Sequence, residues 1–109
     1  MDLLTAAQKL DLTPVTEIHN GQREITGCYI GDLLSWVMSK AQPGNVWITV
    51  QTNINILAVA ALTDAACIVI PENITVDEAT LKKAAVQEIN IYSSSKTSYE
   101  LAKELAQII

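Results

Sequence analysis

Three short polar runs follow three predicted strands and contain the residues of this sequence best placed to bind a ligand. Each run comes directly after an apolar segment and before a predicted helix. Hydroxyl, amide and ammonium groups beside the free N–H groups of a helix N-terminus are suited to hold an anion. The candidate ligand-binding residues are Gln51, Thr52, Asn53, Glu72, Asn73, Ser93, Ser94, Ser95 and Lys96. Helix capping is the alternative role, because Ser, Thr and Asn favour caps and turns and Glu72 would repel an anion.

No other residues of the sequence form a catalytic or metal-binding pattern. The glycines stand apart, so neither GxxxxGK[ST] nor GxGxxG is present. Cys28 would need a positioned base to act as a nucleophile, and the sole histidine, His19, lies nine residues upstream. Glu17 and His19 alone would make a weak metal site, so an exposed turn histidine is favoured. We therefore predict no catalytic residue, no metal, no cofactor and no enzymatic activity, with Cys28 and Cys67 as packing residues.

Helices and strands alternate along the chain and must position the three polar runs. Helices are predicted over 2–10, 32–40, 54–65, 75–88 and from 97 to the C-terminus, by apolar spacing and helix-capping signals. Asp32 is the predicted cap of the second helix, and two capping boxes, Thr75–Glu78 and Thr97–Glu100, open the last two. Strands are predicted over 15–18, 25–30, 46–50, 66–70 and 89–92, with turns at Asn20-Gly21 and Pro43-Gly44.

Apolar stripes indicate which helix faces enter the core. In the second helix the stripe is Leu33, Leu34, Val37 and Met38, and in the third it is Ile54, Ala58, Ala61, Leu62 and Ala65. Trp36 and Trp47 are predicted core or interface aromatics.

Strand–helix alternation predicts an α/β fold, a three-layer sandwich with a mostly parallel sheet. The alternative for the two early strands is an antiparallel hairpin at the sheet edge. No linker or repeat interrupts the sequence, so residues 1–109 are predicted to form a single domain. The parallel strands would deliver the three polar runs to the carboxyl edge of the sheet, where open α/β sheets bind ligands.

Charge and composition exclude several classes of protein. Seven Lys and Arg against twelve Asp and Glu give a net charge of −5, and the scattered basic residues cannot form a nucleic-acid footprint. No apolar run has the length of a membrane span. The acidic N-terminal residues lack the features of a signal peptide, and two unpaired cysteines fit a reducing, cytoplasmic location. Half of the residues are hydrophobic and 17% are charged, which leaves room for a self-interface and favours a homodimer.

The ordered run from Ile25 to Ala106 resembles the DRTGG family. It contains Glu24-Ile-Thr-Gly-Cys-Tyr-Ile-Gly-Asp32, then Lys40-Ala-Gln-Pro-Gly44 leading into Val46-Trp-Ile-Thr-Val50. An alanine-rich helix, a strand, the Thr75–Glu78 helix, Ile89–Ser94 and Ser98-Tyr-Glu-Leu-Ala102 follow in order. The likeness lies in order and spacing. Gln51-Thr52-Asn53 and Pro71-Glu72-Asn73 replace most of the residues after which the family is named.

The resemblance to the DRTGG family implies a regulatory function. Such domains occur beside CBS domains in some pyrophosphatases and within some phosphotransacetylases, and they are similar to the N-terminal domain of HPr kinase but not to its catalytic part. A stand-alone domain of this kind would be a non-enzymatic regulatory or dimerisation module, acting as a homodimer or on a separate enzyme. The alternative is a small-molecule sensor that binds a nucleotide or phosphorylated metabolite at the carboxyl edge.

Overall fold

The computed structural model describes residues Met1–Ile109, in which five strands alternate with five helices. The strands are β1 (Thr13–Pro14), β2 (Gly27–Ile30), β3 (Asn45–Ile48), β4 (Cys67–Ile70) and β5 (Ile91–Ser93). The helices are α1 (Leu3–Lys9), α2 (Leu34–Lys40), α3 (Asn55–Thr63), α4 (Glu78–Gln87) and α5 (Ser98–Ala106). None of the helices combines the length and apolar character that crossing a membrane requires.

The strands form one sheet in the order β1-β5-β4-β3-β2. Strands β2, β3, β4 and β5 run parallel to one another, and β1 pairs antiparallel with β5. The predicted mostly parallel sheet is confirmed. The antiparallel pair lies at a sheet edge as expected, but it joins β1 to β5. The hairpin alternative is wrong, because β1 and β2 occupy opposite edges.

Side-chain alternation in the strands divides the core between two helical layers. Val46 and Ile48 of β3 pack with α1 and α5, whereas Trp47 points to the layer formed by α2, α3 and α4. The same alternation sends Val69 of β4 to the first layer and Ile68 to the second. Because both faces are covered, the central strands are buried at every position, as parallel strands usually are. The result is the predicted three-layer sandwich.

The predicted strand over 15–18 is wrong, because side chains replace the strand ladder there. The amide of Asn90 holds the backbone of His19, accepting from its N–H at 2.8 Å and donating to its carbonyl at 2.8 Å. The hydroxyl of Thr16 accepts from the Ile91 N–H at 3.1 Å. The strand itself comes earlier and is only two residues long.

Two of the three predicted helix caps are wrong. Helix α2 begins at Leu34 without a side-chain cap, and α4 begins at Glu78 after Asp77, so Thr75 lies outside the helix. The predicted box at α5 is confirmed, since Thr97 caps the helix and Glu100 bonds back to the Thr97 N–H. The carboxylate of Asp32 is absent from the α2 cap because it accepts hydrogen bonds from Thr49 and Val50, after β3.

The apolar faces of α2 and α3 differ from the predicted stripes. In α3 the buried residues are Ile56, Leu57, Val59, Ala60 and Thr63. The predicted stripe faces outward instead, with Leu62 71% and Ile54 40% exposed. In α2 only Val37 is buried, and Leu33 is 65% exposed. Both helices therefore carry apolar residues on two sides.

The two tryptophans have different environments. Trp47 is fully buried, and its indole N–H donates to the carbonyl of Gly31 at 2.9 Å. Trp36 is 57% exposed on α2, and the Lys40 ammonium lies 5.4 Å from the centre of its ring.

Candidate functional site

The three predicted polar runs leave the sheet at one edge. They follow β3, β4 and β5, which are adjacent and parallel, with Ile48 opposite Val69 and Ile70 opposite Ser93. The first two runs lie between the carboxyl end of their strand and the helix that follows, whereas the third begins with Ser93, the last residue of β5. The arrangement is the carboxyl edge at which α/β sheets commonly bind ligands. That these residues bind one stays a prediction.

Backbone hydrogen bonds join the second and third runs. The Glu72 N–H donates to the Lys96 carbonyl and the Asn73 N–H to the Ser94 carbonyl, both at 2.9 Å. Glu72 and Asn73 both have positive φ, at 59° and 55°, and the Ile74 N–H closes the turn on the Pro71 carbonyl at 3.2 Å. These features define a type I′ turn. The N–H groups of Glu72 and Asn73 therefore hold the neighbouring loop.

Asp32 anchors the first run, although sequence reasoning assigned it to a helix cap. Its carboxylate accepts from the Thr49 hydroxyl at 2.8 Å and from the Val50 N–H at 2.9 Å. Its carbonyl accepts from the Gln51 side-chain amide at 3.0 Å. Asp32 lies two residues after the end of β2, the neighbour of β3, so its position after a parallel strand was the signal for this role.

Contacts with α4 hold the other side of the first run. The Thr80 hydroxyl donates to the Thr52 carbonyl at 2.8 Å, and the Thr52 hydroxyl donates to Asp77 at 3.3 Å. The side-chain Oδ1 of Asn53 accepts from the Asn55 N–H at 2.9 Å, at the start of α3. Asn53 therefore binds the first N–H of α3, while Ile54 occupies the N-cap position itself.

Two of the candidate residues already make hydrogen bonds within the protein. Ser94 lies in the core, only 6% exposed, and its hydroxyl accepts from the Lys96 N–H at 3.1 Å. The Lys96 ammonium donates to Glu104 at 2.8 Å and to the Leu10 carbonyl at 3.0 Å, on the α1–α5 side. Its charge is thus partly neutralised within the protein. Ser95 is exposed at the edge.

The electrostatics of the edge are acidic. Asp32, Glu72 and Asp77 all lie in loops at the carboxyl ends of the strands. Since Lys96 is paired with Glu104, an anion at this edge would depend on N–H and hydroxyl donors. Helix α4 begins without a side-chain cap, so its first turn offers N–H groups of this kind.

The pockets of the molecule lie outside the three runs. One begins at the same edge beyond β2 and is lined by Tyr29, Ile30, Gly31, Asp32, Leu33 and Trp36. A more polar pocket of about 210 Å³ lies at the opposite, amino edge. There Arg23 pairs with Asp64 at 3.1 Å and holds the pKa of that carboxyl below its ordinary value. Sequence reasoning missed this pocket, because its residues come from three segments that are far apart along the chain.

Burial makes both thiols poor nucleophiles. It raises the pKa of Cys28 to about 11, and it raises the pKa of the fully buried Cys67 further. A thiol must lose its proton to attack a substrate or bind a metal. Cys28 and Cys67 therefore have the character of core residues near neutral pH.

Comparison with known proteins finds a likeness in structure. No protein-family model matches the sequence, and no curated protein matches it. The fold is similar to a crystal structure of the CBS and DRTGG domains of the regulatory region of Clostridium perfringens pyrophosphatase, complexed with its activator, diadenosine tetraphosphate. The TM-score is 0.73 at 12% sequence identity, over 97% of this chain. The likeness is one of fold.

That likeness covers less than half of the regulatory region. This chain spans 46% of the pyrophosphatase chain. At 12% identity the shared feature is the path of the backbone, and a shared fold alone does not carry a ligand or an activity from one protein to another.

Proposed function

We propose that residues 1–109 form a single DRTGG-like domain that acts as a non-enzymatic regulatory module in the cytoplasm. It pairs with a second copy of itself or docks on a separate enzyme. The fold likeness to the regulatory region of a pyrophosphatase supports this class of function. The order of sequence features from Ile25 to Ala106 supports the same family independently of the fold.

The observation that carries the proposal is the apolar outer surface of α2 and α3. Between them these helices hold one charged residue, Lys40. Leu33, Trp36 and Leu62 are 65%, 57% and 71% exposed. A helix that is apolar on all sides normally lies inside a larger body, and an extended exposed apolar patch usually marks an interaction surface. A module whose role is to bind another protein accounts for both features.

The chemistry of the reactive side chains favours a role without catalysis. Both thiols are protonated near neutral pH because burial raises their pKa values. A protonated thiol is not the activated nucleophile that covalent catalysis requires.

Sedimentation equilibrium and a turnover assay test the two parts of the proposal. We expect self-association at tens of micromolar, or a complex with an enzyme encoded beside this protein, and no hydrolysis of ATP in the presence of magnesium. ATP turnover that persists through repurification and disappears on a point substitution would show that the chain is an enzyme. A monomer that binds no such enzyme would contradict the interaction role.

A second candidate function is a sensor for a nucleotide or phosphorylated metabolite at the carboxyl edge. It is favoured by the uncapped start of α4, by the exposed Ser95 in the β5–α5 loop at the same edge of the sheet, and by the activator in the similar structure. Thermal shift with diadenosine tetraphosphate, ATP and inorganic phosphate tests it. We expect Ser95→Ala to weaken binding and Glu72→Gln to strengthen it, because the latter removes a repelling charge. Ser35→Ala, at an exposed serine of α2, is the matched control, and no shift with any of the three probes counts against the sensor.

A further inference from the structure

The outer face of α3 has the composition of a core face. Ile54, Ala58, Ala61 and Leu62 recur at helical spacing and face away from the sheet, while an equally apolar set on the other side fills the core. No charged residue occurs from Asn55 to Thr63. Helix α3 is also the central helix of its layer, because β3 and β4, which it connects, are the central strands of the parallel set. The most apolar helix therefore lies in the middle of an open face.

A groove runs along this face between α3 and α4. Its α3 side is formed by Ile54, Ala58, Ala61 and Leu62, and its α4 side by Lys83, Gln87 and the following Ile89. Ala58 and Ala61 have short side chains, so the surface is recessed at these positions. The Leu62 side chain lies beside them and projects into solvent. The same surface thus carries a projecting apolar side chain and an apolar recess.

We propose that the α3–α4 groove is occupied by α3 of a second copy of this chain, in a symmetric dimer with antiparallel α3 helices. Leu62 of each copy enters the groove of the other beside Ala58. This inference rests on the proposed role in self-association and names the surface that performs it.

Self-complementarity favours a second copy over a foreign helix. In a two-fold dimer one patch contacts itself, so a projection on that patch must meet a recess on the same patch. Leu62 and the recess at Ala58 and Ala61 satisfy this condition within one helix. Small residues at the contact let two helices approach closely enough for their ridges to interdigitate.

The available area also suits a dimer. The body measures 33 × 26 × 25 Å, so its smallest side offers on the order of 650 Å² before surface roughness is counted, near the roughly 800 Å² per partner of a standard interface. Every side of the body, the α3 side included, therefore has at least this projected area.

The charge of the α3–α4 groove permits contact between two copies. Each copy carries a net charge of −5, so two copies repel wherever their carboxylates approach. The groove is lined without any carboxylate, and its one charged residue is Lys83. Two acidic copies can therefore meet at the α3 face without burying carboxylates of the groove against each other.

Sedimentation equilibrium of variants at exposed positions tests the interface. Leu62→Glu places a charge in the seam and should weaken the dimer at least about tenfold. Ala58→Lys should do the same from the recess. Tyr99→Glu on α5, 74% exposed in the opposite layer, is the matched control and should leave the dimer unchanged. Thermal melts check that each variant folds.

Cross-linking gives a positive signal for the same contact. Ala61→Cys should form a disulfide-linked dimer rapidly when treated with diamide, whereas Tyr99→Cys should not. A wild-type protein that stays monomeric overturns the groove interface and leaves docking on an enzyme as the regulatory role. A dimer that persists with Leu62→Glu and Ala58→Lys overturns the groove interface, and so does a dimer that dissociates only with Trp36→Glu. In either case the proposed self-association is kept and another surface performs it.

Discussion

Asp32 holds the β3–α3 loop in place, and Asp32→Ala should therefore loosen the carboxyl edge. Its carboxylate accepts from the hydroxyl of Thr49 and from the Val50 N–H. Thr49 is almost fully buried, 1% exposed, so its hydroxyl has little access to water as a replacement. The substitution leaves both donors without their acceptor while removing no apolar contact of the core.

The expected loss can be estimated from these two bonds. Leaving a buried donor without a partner costs about 1–3 kcal/mol. Since Asp32 itself is exposed, water replaces part of what the carboxylate supplied, and the net loss should be about 1–2 kcal/mol. Asp32→Asn keeps an oxygen in the same position, so it should lose less than about half of that amount.

Urea denaturation followed by circular dichroism measures the difference, with Glu17→Ala as the control for removing one exposed carboxylate. A loss of 1 kcal/mol corresponds to a fall in Tm of roughly 4–8 °C for a domain of this size. If Asp32→Ala were as stable as the wild type, or if Asp32→Asn were equally damaging, the assigned hydrogen bonds would not hold the loop.

Three further predictions concern local conformation and thiol chemistry. Glu88→Gly should raise the free energy of unfolding by about 1 kcal/mol, because Glu88 has a φ of 58° that a residue with a side chain adopts at a cost in free energy. Glu88→Gln keeps that cost, so it should raise the free energy of unfolding much less. In urea titrations Thr97→Ala should lose about 1 kcal/mol through the α5 cap, whereas Thr75→Ala should match the wild type; equal losses would mean that the cap assignment is wrong. In the native protein at neutral pH, Cys28 and Cys67 should react slowly with a thiol reagent, because burial raises the pKa of both thiols. In denaturant both thiols should react quickly. Rapid native labelling would contradict their burial.

The order and type of the later elements follow from sequence because local signals agree with the tertiary structure there. Apolar runs bounded by turn residues mark β3 and β4, and the box at Thr97 marks α5. The same reasoning fails where a side chain forms hydrogen bonds with a segment that is distant in sequence. Asp32 and Asn90 make their hydrogen bonds to residues 17 or more positions away, so no local pattern reveals which backbone groups they satisfy. The candidate edge was therefore located by sequence, but its internal contacts were not.

The sequence by itself determined the α/β class, the parallel set of strands and the edge at which the polar runs emerge, since periodicity and turn chemistry are local properties. Only the tertiary structure decided which side of α3 enters the core. Both sides are apolar, so periodicity alone cannot distinguish them, and the choice depends on how the helix packs against Trp47 and Ile68. Burial of Ser94 and pairing of Lys96 with Glu104 were decided in the same way. A side chain's exposure depends on neighbours that the chain brings together only when it folds.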